Sequence, residues 1–217
     1  MAGRRFIIIG APGSGKGTLA VRVARALGLR HLSTGDLLRE SVSQETEIGR
    51  KAESYMNQGA LVPDEIMVDL LRDELETHGF ESWILDGFPR TLHQAEILEA
   101  MLSEKETSVD RVFLIDLDPE IIVERLTGRR VCPACNAIYN LASDEFRPQV
   151  DGTCDTCGAG LIKRKDDEEE TIRRRLDVYD KQTAPVIEHY RAIGVLETVD
   201  GAGGADRTAA EILRIAT

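Results

Sequence analysis

The nonapeptide GAPGSGKGT, residues 10–18, closes a short apolar run and carries a single lysine, Lys16. Glycines in such a loop let backbone N–H groups turn inward around an anion. A helix opening inside the loop adds positive potential, and the lysine reaches terminal phosphates. Gly13, Ser14, Gly15, Lys16, Gly17 and Thr18 are therefore expected to hold the phosphates of a nucleoside triphosphate. One position departs from the general pattern, which places Ser or Thr directly after the lysine to bind magnesium. Here Gly17 intervenes before Thr18, so magnesium must be held differently. Asp86, ending the apolar stretch WILD, is the carboxylate expected to orient it through water.

A second constellation is built of sulfur. Cys132 and Cys135 in VCPACN are answered by Cys154 and Cys157 in TCDTCG, with 18 residues between the pairs. That spacing lies in the range of C-x2-C…C-x2-C zinc sites. Four thiolates leave no coordination position for water, so the metal is expected to hold a fold and to do no chemistry. In a reducing compartment two disulfides are disfavoured. The histidines at 31, 78, 93 and 189 show no ligand spacing and read as ordinary.

A third concentration is the charged run RKDDEEETIRRRL, residues 164–176. Glu169 with Arg173 and Glu170 with Arg174 are i,i+4 pairs with the acid first, which support a solvated helix. Arg175 has Thr171 at that offset and no acid, so it is the arginine expected to turn into a site. Upstream, Arg125 and Arg129 in ERLTGRR share a helix face unless Gly128 ends the helix. Arg130, Arg173 and Arg174 read as structural.

These groups need a scaffold that gathers them. RFIII at residues 5–9 is a β-branched run suited to a strand buried on both faces. A helix is expected from about Gly15 to Leu27, stopped by Gly28. Strand-then-helix pairs follow at 82–86 and 91–102, at 111–117 and 119–127, and at 195–199 and 205–216. A short strand at 29–32, before a helix containing Asp36 to Ser41, makes about five strands. This alternation implies an α/β fold with a doubly wound parallel sheet and a ligand crevice at the carboxyl ends of the strands. Residues 33–62, helical, and 128–165, rich in Gly, Cys and Pro, have no strand in the scheme and read as insertions.

Bulk composition narrows the classes. The 217 residues carry 27 Lys and Arg against 38 Asp and Glu, a net charge of −11 with a pI near 4.9. That balance argues against broad capture of nucleic acid or an anionic membrane, though not against a local basic pocket. The apolar run after Arg4 and Arg5 is too short for a signal segment, and no other run is long enough to span a bilayer. A cytoplasmic protein is expected.

GAPGSGKGT, LSTGDLLR at 32–39, GALVPDEI at 59–66, DGFPRTLHQAE at 86–96 and RKDDEEETIRRRL at 164–176 together resemble the adenylate kinase family, in that family's order. The resemblance covers essentially the whole chain. It implies a five-stranded sheet of the P-loop NTPase type with core segments 1–32, 63–127 and 166–217, a nucleoside monophosphate-binding insertion 33–62, and a zinc-binding lid 128–165 of the long bacterial type. It further implies transfer of a phosphoryl group from Mg-ATP to AMP, giving ADP, by a monomer. By resemblance, Lys16, Asp86, Arg90, Arg125, Arg129, Arg164 and Arg175 carry catalysis, and Arg125 and Arg129 also bind ATP. Thr34, Gly35, Arg39, Gly59, Leu61, Val62, Gly87, Arg90, Gln94, Arg164 and Arg175 hold AMP. Asp166 and Asp167 accompany the arginines. Asn136 stands where the family often has Gly, and Asn also tolerates a left-handed backbone.

Other readings compete. A kinase for another nucleoside monophosphate, or one using GTP, differs only in the bases it contacts. A P-loop ATPase gripping nucleic acid through a four-cysteine ribbon requires basic and aromatic residues there. Between Cys135 and Cys154, however, Arg147 is the one cation, against Asp144, Glu145 and Asp151. A non-catalytic zinc scaffold leaves the phosphate-binding motifs unexplained.

Overall fold

The computed structural model describes residues 3–217. Its strands in chain order are β1 (Arg5–Gly10), β2 (Arg30–Ser33), β3 (Trp83–Asp86), β4 (Arg111–Asp116), then the short β5 (Arg129–Val131) and β6 (Ile138–Asn140), and β7 (Leu196–Asp200). Five of them form one parallel sheet in the order β2-β3-β1-β4-β7. The expected strand at 29–32 shifts by one residue. The registers align Ser33 with Asp86 and Asp116 with Asp200, so the carboxyl ends of the strands form one edge.

Alternation along β1 divides the core. Ile7 and Ile9 pack into one cluster with Leu71, Leu75, Leu98, Leu102 and Tyr190. Phe6 and Ile8 face the other, with Leu19, Val23, Ala209 and Ile212. Burial on both faces explains why the strand is continuously apolar. The first layer of helices is α4 (Asp64–His78), α5 (Leu92–Ser103) and α8 (Ala184–Ala192). The second is α1 (Lys16–Leu27) and α9 (Ala205–Ala216). Helices on both sides are what a right-handed parallel crossover requires, and the doubly wound expectation holds.

Gly28 ends α1 with a left-handed φ of 65°. The sequence reading assigns no element to residues 64–78 and 184–192, and both are helices. Outside the sheet lie α2 (Thr34–Ser43) and α3 (Glu47–Gln58), which form the 33–62 segment. The antiparallel pair β5 and β6 opens the 128–165 segment. Helix α6 (Pro119–Gly128) stops at Gly128, and Arg129 has extended backbone in β5. Arg125 and Arg129 therefore do not share a helix face. No described helix is long and apolar enough to cross a membrane.

Candidate active site

Two chain reversals at the carboxyl edge of the sheet build the centre of a cleft of about 370 Å³. After β1 the chain runs through Gly13 and Gly15, both at positive φ, into the first turn of α1. Lys16 Nζ donates to the Ala11 carbonyl at 2.9 Å, spanning the loop. Burial, opposed by Asp86 and reinforced by Arg90, Arg175 and Arg129, lowers the Lys16 ammonium to about 8. The departure at position 17 has a spatial reason. A β-carbon on Gly17 would stand 3.2 Å from Asp86 Oδ2, so a Ser or Thr there would crowd the carboxylate expected to serve magnesium. His31, behind that carboxylate, has its Nε2 at 3.8 Å from Asp86 Oδ2 and no hydrogen-bond partner.

At the other end of the cleft the walls come from α2, the end of α3 and the turn after β3. Ser33 caps α2 by accepting from Asp36 N. Thr34, next along and buried, lines the cleft and donates to the Asp86 carbonyl at 3.3 Å. Gly35 and Arg39 stand beside it, with Arg39 paired to Asp36. Gly59, at φ 70°, ends α3 where a β-carbon would meet Arg175 Cγ at 2.9 Å. Only glycine gives both the left-handed turn and that close approach. Leu61, Val62 and Met67 supply apolar lining, and Gly87, Arg90 and Gln94 line the same cleft. Arg90 is anchored through Nε to the Gly87 carbonyl at 2.9 Å, and burial, with Arg175 next to it, lowers it to about 10.

Between the ends stand arginines from three further segments. Arg125, on α6, donates to the Gly201 carbonyl at 3.2 Å. Arg129 makes a two-pronged pair with Asp167, at 2.5 and 2.7 Å, and Asp167 is fully buried. Arg175, on α7 (Glu169–Val178), turns inward as expected and pairs with Asp166 at 2.7 Å. Arg164 is lowered to about 10, by burial first and then by Arg39 and Arg129. Asp166, despite burial, is held below the usual carboxylate range by Arg175, Arg129, Arg164 and Arg39. On the solvent face Glu169–Arg173 and Glu170–Arg174 pair as expected. Arg174 also reaches the Gln58 carbonyl at 3.2 Å.

The cleft also takes residues that motif reasoning did not reach. Ile138, Tyr139 and Phe146 from the 128–165 segment and Gly204, Ala205 and Thr208 at the start of α9 also line it. The second group begins in GAGGAD, residues 201–206, a glycine-rich stretch whose composition marks a loop. Arg22 on α1 ties these parts together. It pairs with Glu145 at 2.8 Å and with Asp206, and stands over the Phe146 ring.

The four cysteines converge as the spacing requires. Their sulfurs lie within 4.8 Å of one another, with contacts at 3.4, 3.5 and 3.6 Å. A tetrahedral metal with bonds of about 2.3 Å sets its sulfurs about 3.8 Å apart, so this donor set fits zinc. The two turns are built alike. Cys132 N donates to the Ala137 carbonyl and Cys154 N to that of Ala159, while Asn136 and Gly158 take positive φ.

Comparison with known proteins bears on the whole chain. The family model described as adenylate kinase matches residues 8–195. An adenylate kinase of Clostridium perfringens is 44% identical over 213 residues, covering 97% of each chain. One from Caldicellulosiruptor bescii is 44% identical over 212 residues with the same coverage. One from Clostridium novyi is 45% identical over 205 residues, 94% of each.

Proposed function

The chain belongs to the adenylate kinase family, and we propose that it performs that family's phosphoryl transfer with Lys16, Arg90, Arg125, Arg129, Arg164 and Arg175 gathering charge on the transferring group. The enzyme transfers the terminal phosphoryl of Mg-ATP reversibly to AMP, giving two ADP. One observation carries the assignment of roles: a single cleft has the phosphate loop at one end, the α2–α3 flap at the other and the arginines between.

The ATP end takes Gly13 to Thr18, Arg125 and Arg129. The AMP end takes Thr34, Gly35, Arg39, Gly59, Leu61, Val62, Gly87, Arg90 and Gln94, with Arg164 and Arg175 toward the acceptor phosphate. No general base is needed, because a phosphate monoester with a second pKa near 6 is already ionised at neutral pH. Arg90 and Arg164, lowered only to about 10, stay cationic there. Arginine offers planar forks to phosphate oxygens, and Asp166 and Asp167 hold two of those forks in place. Magnesium, arriving with ATP, neutralises charge on the terminal phosphates, and Asp86 is the residue that would orient it through water. The lid segment, 128–165, closes the triphosphate end and excludes water, the competing acceptor. Zinc in the four-cysteine cluster makes that lid rigid.

Cytoplasmic, monomeric working belongs to the same proposal. The test is purified enzyme with Mg-ATP and each of AMP, GMP, CMP and UMP, following diphosphate formation. ADP from AMP alone is expected. Absence of ADP from ATP plus AMP would refute the assignment.

A further inference from the structure

A glutamine amide meets either purine equally well if it is free to rotate. Adenine presents a donor at its 6-amino group beside an acceptor at N1, and guanine presents the reverse order, a 6-oxo acceptor beside an N1–H donor. An amide turned over by half a rotation exchanges its own donor and acceptor to suit. Selectivity therefore depends on whatever stops the rotation.

Gln94 is stopped from both ends. It is buried and lines the cleft together with Leu61 and Val62. Its Oε1 accepts from Arg90 N at 2.7 Å, a group that can only donate. Its Nε2 donates to Asp64 Oδ1 at 2.7 Å, a group that, ionised, can only accept. Turned over, the amide would set NH2 against N–H and carbonyl against carboxylate. Asp64 is itself held in one sense. Its Oδ2 accepts from Thr91 Oγ1 at 2.8 Å, and the same Thr91 oxygen accepts from Gln94 N at 3.1 Å. The hydroxyl proton is thereby committed to Asp64. After these bonds the Gln94 amide retains one N–H and one oxygen lone pair in a fixed order.

We propose that Asp64, at the start of α4 and outside the lining of the cleft, is the positioning residue that sets purine choice at the acceptor end by fixing the sense of the Gln94 amide. This rests on the reading that Gln94 meets the acceptor base. With the amide so held, adenine finds complementary partners, and guanine in the same place meets donor against donor and acceptor against acceptor.

The test compares kcat/KM for AMP and for GMP, with Mg-ATP as donor, in wild type, Asp64→Ala, Asp64→Ser and Asp64→Asn. Where GMP turnover is too slow to follow, its inhibition constant against AMP replaces it. In the Ala and Ser variants the AMP-to-GMP preference is expected to narrow about tenfold or more, the worth of one bidentate base contact. Ser keeps a residue suited to starting a helix, should Ala fold poorly. In Asp64→Asn the side-chain carbonyl can still accept from Gln94 Nε2 while Thr91 accepts from the new amide, so the preference is expected to stay near that of wild type. Equal losses for both nucleotides in all three variants, with the preference unchanged, would overturn the inference and leave Asp64 as a tie between α4 and α5. Gln94→Ala separates the two levels. A collapsed preference in Gln94→Ala with an intact one in the Asp64 variants overturns this inference alone. An unchanged preference in Gln94→Ala overturns the placement of the base as well.

Discussion

Lys16 keeps a charge that its surroundings oppose. It lines the cleft among Arg90, Arg175 and Arg129, with the Asp86 carboxylate opposing them, and its ammonium is lowered to about 8 from 10.5. Between those two pH values the unfolded chain binds more protons at this site than the folded one. Its contribution to stability therefore rises with pH across that window and is absent below it. A triphosphate reverses the balance by supplying negative charge. At pH 8.5, calorimetry of Mg-ATP binding in buffers of different ionisation enthalpy should show proton uptake by the protein, falling toward zero at pH 7. No uptake at pH 8.5 would contradict the placement of Lys16 against the phosphates. Lys16→Met should fold with a melting temperature close to that of wild type and lose about 10²–10³ in kcat, the worth of one preorganised donor to the transferring group. Wild-type turnover in that variant would remove Lys16 from the chemistry.

The 128–165 segment has little apolar core of its own. Its own apolar cluster has three buried members, Cys132, Tyr139 and Cys154, two of them from the four-cysteine cluster. So small a cluster does little to offset the entropy of ordering the segment, and a metal held by the four cysteines, as proposed above, would supply the deficit. Tyr139 adds to the arrangement. Its hydroxyl accepts from Asp155 N at 2.8 Å and stands 3.4 Å from Cys154 Sγ, to which it can donate. Treatment with excess chelator should lower the melting temperature and open residues 128–165 to limited proteolysis, while triphosphate still binds at the loop between β1 and α1. An unchanged melting curve and digestion pattern in metal-free protein would argue against a structural metal.

Across the whole molecule, a net charge of −11 coexists with a cleft lined by Lys16, Arg39, Arg90, Arg125, Arg129, Arg164 and Arg175. Local concentration of positive charge between low-dielectric walls attracts polyphosphates without making the surface sticky to nucleic acid. The walls of the cleft are joined by contacts between parts far apart in sequence. Arg22, on α1, links the 128–165 segment through Glu145 and α9 through Asp206. Both side chains of the Arg22–Glu145 pair are partly exposed, so the tie is modest and salt-sensitive. Arg22→Ala should raise KM for ATP about two- to fivefold, with the difference from wild type shrinking as salt is added, and leave KM for AMP unchanged. Equal changes in both constants would show that Arg22 serves the core and not the lid.

Local chemistry decides much of this protein without reference to its three-dimensional form. The phosphate loop, the four-cysteine spacing, the strand-and-helix alternation and the inward turn of Arg175 depend on contacts within a few residues or on one repeating period, and both are written along the chain. Asn136 takes the left-handed backbone expected of it, at φ 60°. Other features were decided only by tertiary packing. Gly128, an ambiguous residue in sequence, ends α6, because the chain there turns into β5. Arg175 finds its acid nine positions back, in Asp166, where no helical offset points. Arg22 meets Glu145 across more than a hundred residues, and Asp64 meets Gln94 thirty residues on. Each of these pairs joins segments whose relative placement follows from the sheet order and the cores on its two faces. A property of the assembled layers cannot be read from any stretch of the chain alone.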